Sequence, residues 1–264
     1  VVTYTPVTNV VSSDTLVLDF HNGVSAGQTS SKPVTGTGLD PALLVISPGG
    51  TVDYGNLTVG QTADYTFTVF NTGEVDATGI TETSLGGNFA FQGGSYPGTN
   101  GTCTTGPADI LASSNCTIVV TYTPLGSGAH PDTITLDYDN GVSAGQTSTQ
   151  NITGTGLTPA SLAITPGSHN FGSTSTGVGV FQIFTITNSG ETTATSITHI
   201  SFGDASYSYP GGPFPGTGGG DCTTSLVGSG GTCSIRVEFN PGSIGVKAGT
   251  IDIQYDDGSG GALQ

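Results

Sequence analysis

VVTYTP at Val1–Pro6, DTLVLDFHNGVSAGQTS at Asp14–Ser30 and VTGTGL at Val34–Leu39 make a strand-turn-strand block that occurs twice. The second copy reads VVTYTP at Val119–Pro124, DTITLDYDNGVSAGQTS at Asp132–Ser148 and ITGTGL at Ile152–Leu157, so Val1 maps to Val119 and Leu39 to Leu157. A fixed period of about 118 residues is too long for one turn of a solenoid and suits one small β-sandwich domain. Inside the block Val2 and Tyr4, then Leu16, Leu18 and Phe20, alternate with polar neighbours. That period of two predicts half-buried strands. Asn22-Gly23, between two such runs, is a favoured hairpin turn.

Working outward, residues 43–160 hold a complete period. Strands are expected at Leu44–Ile46, around Tyr65, Phe67 and Val69, at Ala77–Thr83 and at Phe89–Phe91, with a short edge-like piece at Val52–Gly55. Ile118, Val120 and Tyr122 mark the next strand, and Ile134, Leu136 and Tyr138 the one after it. The last ends in Ile152 and Gly154-Thr155-Gly156. Residues 161–264 run through the same order: Phe184 and Ile186 answer Phe67 and Val69, Asn188-Ser189-Gly190 answers Asn71-Thr72-Gly73, and Ile251, Ile253 and Tyr255 answer Ile134, Leu136 and Tyr138. They stop at Gln264, before the last strand of the period. Residues 1–42 are the C-terminal part of a repeat. No stretch sustains a helical apolar period. The expectation is an all-β chain of tandem immunoglobulin-like β-sandwich repeats of about 117 residues.

The motifs ISPGGTVDYGNLTVGQTADYTFTVFNTG from Ile46, the Cys-flanked loop, VTYTP and the closing ITGTG resemble the immunoglobulin-like repeats of the ASPM–SPD-2–Hydin type. The version found in bacterial choice-of-anchor D surface proteins is the most similar. The resemblance implies the sandwich fold and a stalk or spacer role.

Charge narrows the partners. Lys32, Arg236 and Lys247 are the only basic residues against 19 acidic ones, a formal net charge of −16. Such a chain repels phosphate backbones and anionic membrane surfaces, and no stretch approaches the roughly 20 apolar residues of a transmembrane helix, so neither nucleic acid nor membrane insertion of this segment is expected. Its surface is built from Thr, Ser, Asn and Gly, as on many secreted proteins.

Cys103 with Cys116, and Cys222 with Cys233, recur as pairs one period apart. Metal spacing of the Cys-x2-Cys kind is absent. One disulfide per period is the expectation, and with it an oxidising compartment, extracellular or on the cell surface. His21 maps to Asp139 and His199 to Glu82, while His130 and His169 have no His counterpart, so the repeats share no catalytic His. No catalytic residue and no cofactor are expected. Asp137 and Asp139, with Asp256 and Asp257 one period on, form acidic turns that read either as a weak calcium candidate or as ordinary hairpin chemistry. Residues 43–160 contain no Lys, which excludes a Lys–Asn isopeptide bond there. Sequons stand at Asn56, Asn100, Asn115 and Asn151.

Two features bear on partners. Tyr96 and Phe214 occupy equivalent places in the Gly-rich loops Gly93–Thr102 and Gly211–Asp221. Each is either a contact for a glycan or protein or a ring tucked over its own sandwich. NGVSAGQTS is identical at 22–30 and 140–148, from recent duplication or from a lateral contact through Gln146 and Thr147. The expected function is a structural segment, stalk, spacer or filament component, of a bacterial surface protein whose partners are other copies of itself or other surface proteins. The alternative is an adhesin-type binding module. The unfinished last period reads either as truncation of a longer repeat protein or as an open edge that a strand like Ser31–Leu39 of a neighbouring subunit fills.

Overall fold

The computed structural model describes residues 1–104 and 110–264, and every regular element in them is a β-strand. The first ten are β1 (Val11–Phe20), β2 (Gln28–Thr37), β3 (Leu44–Ser47), β4 (Thr51–Thr58), β5 (Ala63–Asn71), β6 (Thr78–Glu82), β7 (Phe89–Phe91), β8 (Asn115–Tyr122), β9 (Gly128–Asp139) and β10 (Gln146–Leu157). Six follow: β11 (Leu162–Thr165), β12 (Val180–Asn188), β13 (Thr195–Ser201), β14 (Tyr207–Ser208), β15 (Gly231–Phe239) and β16 (Asp252–Asp256). The chain divides into two compact units. One comprises Val1–Val52, Asp64–Thr121 and Asp132–Ile152, the other Asp53–Ala63, Tyr122–Pro131 and Thr153–Gln264.

Two four-stranded sheets have matching plans, β3-β5-β8-β7 and β11-β12-β15-β14. In each, the first strand pairs antiparallel with the second, Ile46 opposite Val69 and Ile164 opposite Ile186. These are the alternating apolar positions of the sequence, and they build the cores. Phe67, Val69, Ile118, Val120, Ile134, Leu136 and Ile152 are fully buried in the first unit; Ile186, Ile197, Ile235 and Val237 are in the second. A third sheet has the order β4-β10-β9-β6, so the expected edge piece at Val52–Gly55 is indeed an edge strand.

Two expectations need amendment. β1 and β2 pair antiparallel over ten residues, from Val11 opposite Thr37 to Phe20 opposite Gln28, yet the hairpin is exposed on both faces. Leu16, Leu18 and Phe20 are 41, 60 and 49% exposed, although the pattern predicts half-buried strands. The reason is that no described strand outside the hairpin belongs to its sheet. In residues 161–264 the second sheet shrinks to β13-β16. β16 has five residues where β9 has twelve, and residues 168–179 form no strand where β4 stands one period earlier. The counterpart of β10, which lies between β4 and β9, is not among the 264 residues.

Candidate functional site

The positions singled out in the sequence fall into three places: the disulfides, the Gly-rich loops and the acidic turns. Cys103 and Cys116 are bonded, as are Cys222 and Cys233, each with a Cα–Cα distance of 4.9 Å. In both, the loop before the core strand is also laid along it by backbone bonds. Cys103 N–H donates to the Thr117 carbonyl at 3.1 Å, and Cys222 N–H to that of Ser234 at 3.2 Å. Cys103, Cys222 and Cys233 are buried and Cys116 is half-buried, and the bonds close the loops rather than expose a thiol.

In the Gly-rich loops the aromatic rings turn inward. Tyr96 meets Phe91 edge-on at 5.4 Å between centroids, and Phe214 meets Tyr209 edge-on at 5.5 Å. The two geometries match because Phe91 and Tyr209 are themselves equivalent residues. Tyr96-Pro97 and Phe214-Pro215 are both cis. The loops need glycine where the chain crosses a strand: Gly98 and Gly216, with φ of +97° and +93°, would bring a Cβ to 2.5 Å from the carbonyls of Val119 and Arg236 respectively.

The acidic turns are closed by their own side chains. Asn22 Oδ1 accepts the N–H groups of Val24 and Ser25 at 2.9 Å; Asn140 Oδ1 accepts those of Val142 and Ser143 at 3.0 and 2.9 Å. Gly23 and Gly141 have φ of +89° and +85°, which favours glycine. One residue earlier, His21 Nδ1, Asp139 Oδ1 and Asp256 Oδ1 each accept a glycine N–H, from Gly23, Gly141 and Gly258, at 2.9, 2.8 and 2.8 Å. This common task explains why His21 stands where the other copies have Asp. Asp257 Oδ1 bonds Ser259 N–H at 2.9 Å. Among the described residues no three His, Cys, Asp or Glu side chains gather as metal ligands, and Asp137 lies on β9 opposite Thr81. Gln146 Nε2 donates to Ser143 Oγ at 3.2 Å, as Gln28 does to Ser25 at 3.3 Å, while Thr147 is exposed. Turn closure therefore accounts for Asn, Gly, Ser and Gln in the identical stretch.

Two buried asparagines, Asn71 and Asn188, escaped the sequence reading, which noted only that Asn188-Ser189-Gly190 answers Asn71-Thr72-Gly73. Asn71 Oδ1 accepts from Leu43 and Gly73, and its Nδ2 donates to the carbonyls of Val75, Ile110 and Leu111. Asn188 does the same with Ser161 and Gly190, Thr192 and Leu226. The recurrence of Asn before a small residue and Gly was the available signal. His199 and Tyr209 also stand out. Their rings pack edge-on at 4.9 Å, and neither His199 Nε2 nor the Tyr209 hydroxyl has a hydrogen-bond partner. Burial lowers the His199 pKa below its ordinary value and raises that of Tyr209 far above its own.

Residues 47–155 match the HYDIN/CFA65/VesB-like, Ig-like domain family. That segment is an immunoglobulin-like domain of the kind the motifs resemble. No curated protein matches the chain. Among solved structures, the PapD-like domain 7 of human CEP192 is 14% identical, with 52% of this chain and 95% of that one covered at a TM-score of 0.30. The secreted serine protease VesC from Vibrio cholerae is 12% identical, with 78% and 49% covered at 0.28. A three-domain titin structure is 14% identical, with 86% and 64% covered at 0.33. Among the described residues no helix is long and apolar enough to cross a membrane.

Proposed function

We propose that this chain is a structural segment, a stalk, spacer or filament component, of a bacterial protein that works outside the cell. The observation that carries the reading is where the chemistry-bearing side chains spend their bonds. The loop aromatics Tyr96 and Phe214 pack on rings of their own sandwich, and the turn carboxylates and amides bond backbone N–H groups of their own turns. Side chains used this way hold a shape. Two disulfides, each closing the loop before a core strand, support an oxidising location. The repeated sequence period and the repeated sheet plan support a division into residues 1–42, 43–160 and 161–264 as part-repeat, complete repeat and repeat without its last strand.

The test sets this reading against a binding module. Screened against glycan arrays and cell-surface protein extracts, the whole chain is expected to show no ligand that depends on the Gly-rich loops. Tyr96→Ala and Phe214→Ala are expected to lower stability by about 1–3 kcal/mol through lost ring burial. A ligand bound by the parent chain and lost in either variant, with stability unchanged, would overturn the reading.

A further inference from the structure

The outer face of the β11-β12-β15-β14 sheet carries a patch that the matching sheet one period earlier lacks. Every strand of β3-β5-β8-β7 has its counterpart in that sheet. Along β12 and β15, Phe184, Ile186, Ile235 and Val237 are buried on the inner face. The residues between them point the other way, and there Phe181 and Ile183 are 46 and 47% exposed. In the ladder Phe181 stands opposite Glu238 and Ile183 opposite Arg236. Two neighbouring outward rungs therefore each hold one apolar and one charged side chain.

The first repeat is closed at these places, where it has Asp64, Thr66, Val119 and Thr121. Asp64 accepts from Gln92 Nε2 and Thr121 Oγ1, both at 2.5 Å, and Gln92 Oε1 accepts from Asn100 Nδ2 at 2.8 Å. In the second repeat Gly218 replaces Asn100, and a Cβ on Gly219 would come within 2.9 Å of Ile183 Cδ1, so the loop leaves the patch bare. Arg236 Cζ lies 4.1 Å from the centroid of the Phe181 ring, and its Nη1 donates to the Thr217 carbonyl at 3.1 Å. These contacts hold the guanidinium in place without neutralising it. Arg236 and Glu238 share the face two residues apart, yet neither makes an ion pair among the described residues. A guanidinium with donors to spare matches a carboxylate that approaches from outside.

We propose that this face binds the same face of a second copy of the chain about a two-fold axis. Across such an axis the contact is isologous, so the patch must be complementary to itself. This one is. An axis lying along the face at right angles to the strands, midway between the two rungs, sets Arg236 over Glu238 of the second copy and Glu238 over its Arg236. The same operation sets Phe181 over Ile183 and Ile183 over Phe181. One axis pairs both charges and covers both apolar side chains, which favours a second copy over an unlike partner. The patch is small, so the dimer is weak and reversible. The inference does not rest on the spacer reading, since a spacer and a binding module could pair in this way alike.

Sedimentation equilibrium of the 264-residue chain over a wide concentration range is the test. The expected result is a reversible monomer–dimer equilibrium. Arg236→Glu sets like charges opposite each other at two places in the dimer and is expected to weaken it by about tenfold or more. Adding Glu238→Arg to Arg236→Glu exchanges the two charges, and the same axis again sets base over acid, so the dimer is expected to return. Ile183→Thr gives the second repeat the residue that the first already carries there, which spares the fold, and is expected to weaken the dimer by about threefold or more. A chain monomeric throughout overturns the inference. So do dimers indifferent to Arg236→Glu or to Ile183→Thr, and a charge-exchanged chain that associates no better than Arg236→Glu alone.

Discussion

Asn71→Ala puts the cost of a single amide on a measurable scale. The side chain is 2% exposed and makes five hydrogen bonds, all to backbone. Two of its acceptors have other donors: Ile110 O also takes Ala77 N–H at 3.0 Å, and Leu111 O takes Ser114 N–H at 3.2 Å. Truncation therefore costs mainly the N–H groups of Leu43 and Gly73 and the carbonyl of Val75. At about 1–1.5 kcal/mol for each of these three groups, the loss is about 3–4.5 kcal/mol. Against a typical total of about 5–15 kcal/mol, that is a large fraction. Urea unfolding followed by hydrogen exchange is the assay, with Asn188→Ala as the mirror experiment. Each variant is expected to lower the unfolding of the repeat that carries it and to spare the other. Asn71→Asp is not a rescue: it keeps both acceptor bonds, loses all three donor bonds and buries a charge. A loss below about 1 kcal/mol for Asn71→Ala, or equal losses in both repeats, would refute the reasoning.

Reducing both disulfides is expected to cost about 3 kcal/mol per repeat, from loops of 13 and 11 residues of sequence separation in the chain-entropy picture; thermal melts with and without reductant check this. Gly154→Ala should destabilise by about 1–3 kcal/mol because the Tyr122 ring must move, whereas Gly36→Ala, 2.6 Å from the half-exposed Tyr4 ring, should cost less; paired denaturation curves compare them. Burial lowers the His199 pKa in the folded chain, so below about pH 6.5 the unfolded chain takes up the proton first. Stability is then expected to fall as pH drops from 6.5 toward the folded pKa, and His199→Gln should flatten that slope in melts read from pH 7 to 4. Burial raises the Tyr209 pKa, and also those of Tyr122 and Tyr207, so stability should fall as pH climbs above 10, and Tyr209→Phe should reduce that loss.

The strands were legible because this chain separates its signals cleanly. Phe67-x-Val69 and Ile134-x-Leu136 alternate, and Gly-containing turns bound each run, so period and punctuation agree. The disulfides were legible because they recur. What resisted reading was long-range. Asn71 and Asn188 look like turn residues, and nothing local says that their amides reach carbonyls 39 and 38 residues away. The exposure of Leu16, Leu18 and Phe20 was hidden for the same reason: alternation states which side of a strand is apolar and is silent on whether anything covers it. The lack of a strand at 168–179 was hidden too, because a sequence window contains no neighbours across a sheet. In the Gly-rich loops, the sequence left Tyr96 and Phe214 open between contact and tucked ring; their partners Phe91 and Tyr209 sit five residues upstream, close enough to be named once the backbone turn is known.

Asn140-Gly141 is also the dipeptide most prone to chemical ageing, since the glycine nitrogen can attack the asparagine amide and convert it to a succinimide. Here both reacting groups are engaged. The Gly141 N–H points to Asp139 Oδ1, and the Asn140 amide oxygen is held by Val142 and Ser143. The attack would have to break all three bonds and turn the amide around. A turn built this way resists deamidation for as long as it stays folded, so the folded chain ages more slowly at this dipeptide than the unfolded one.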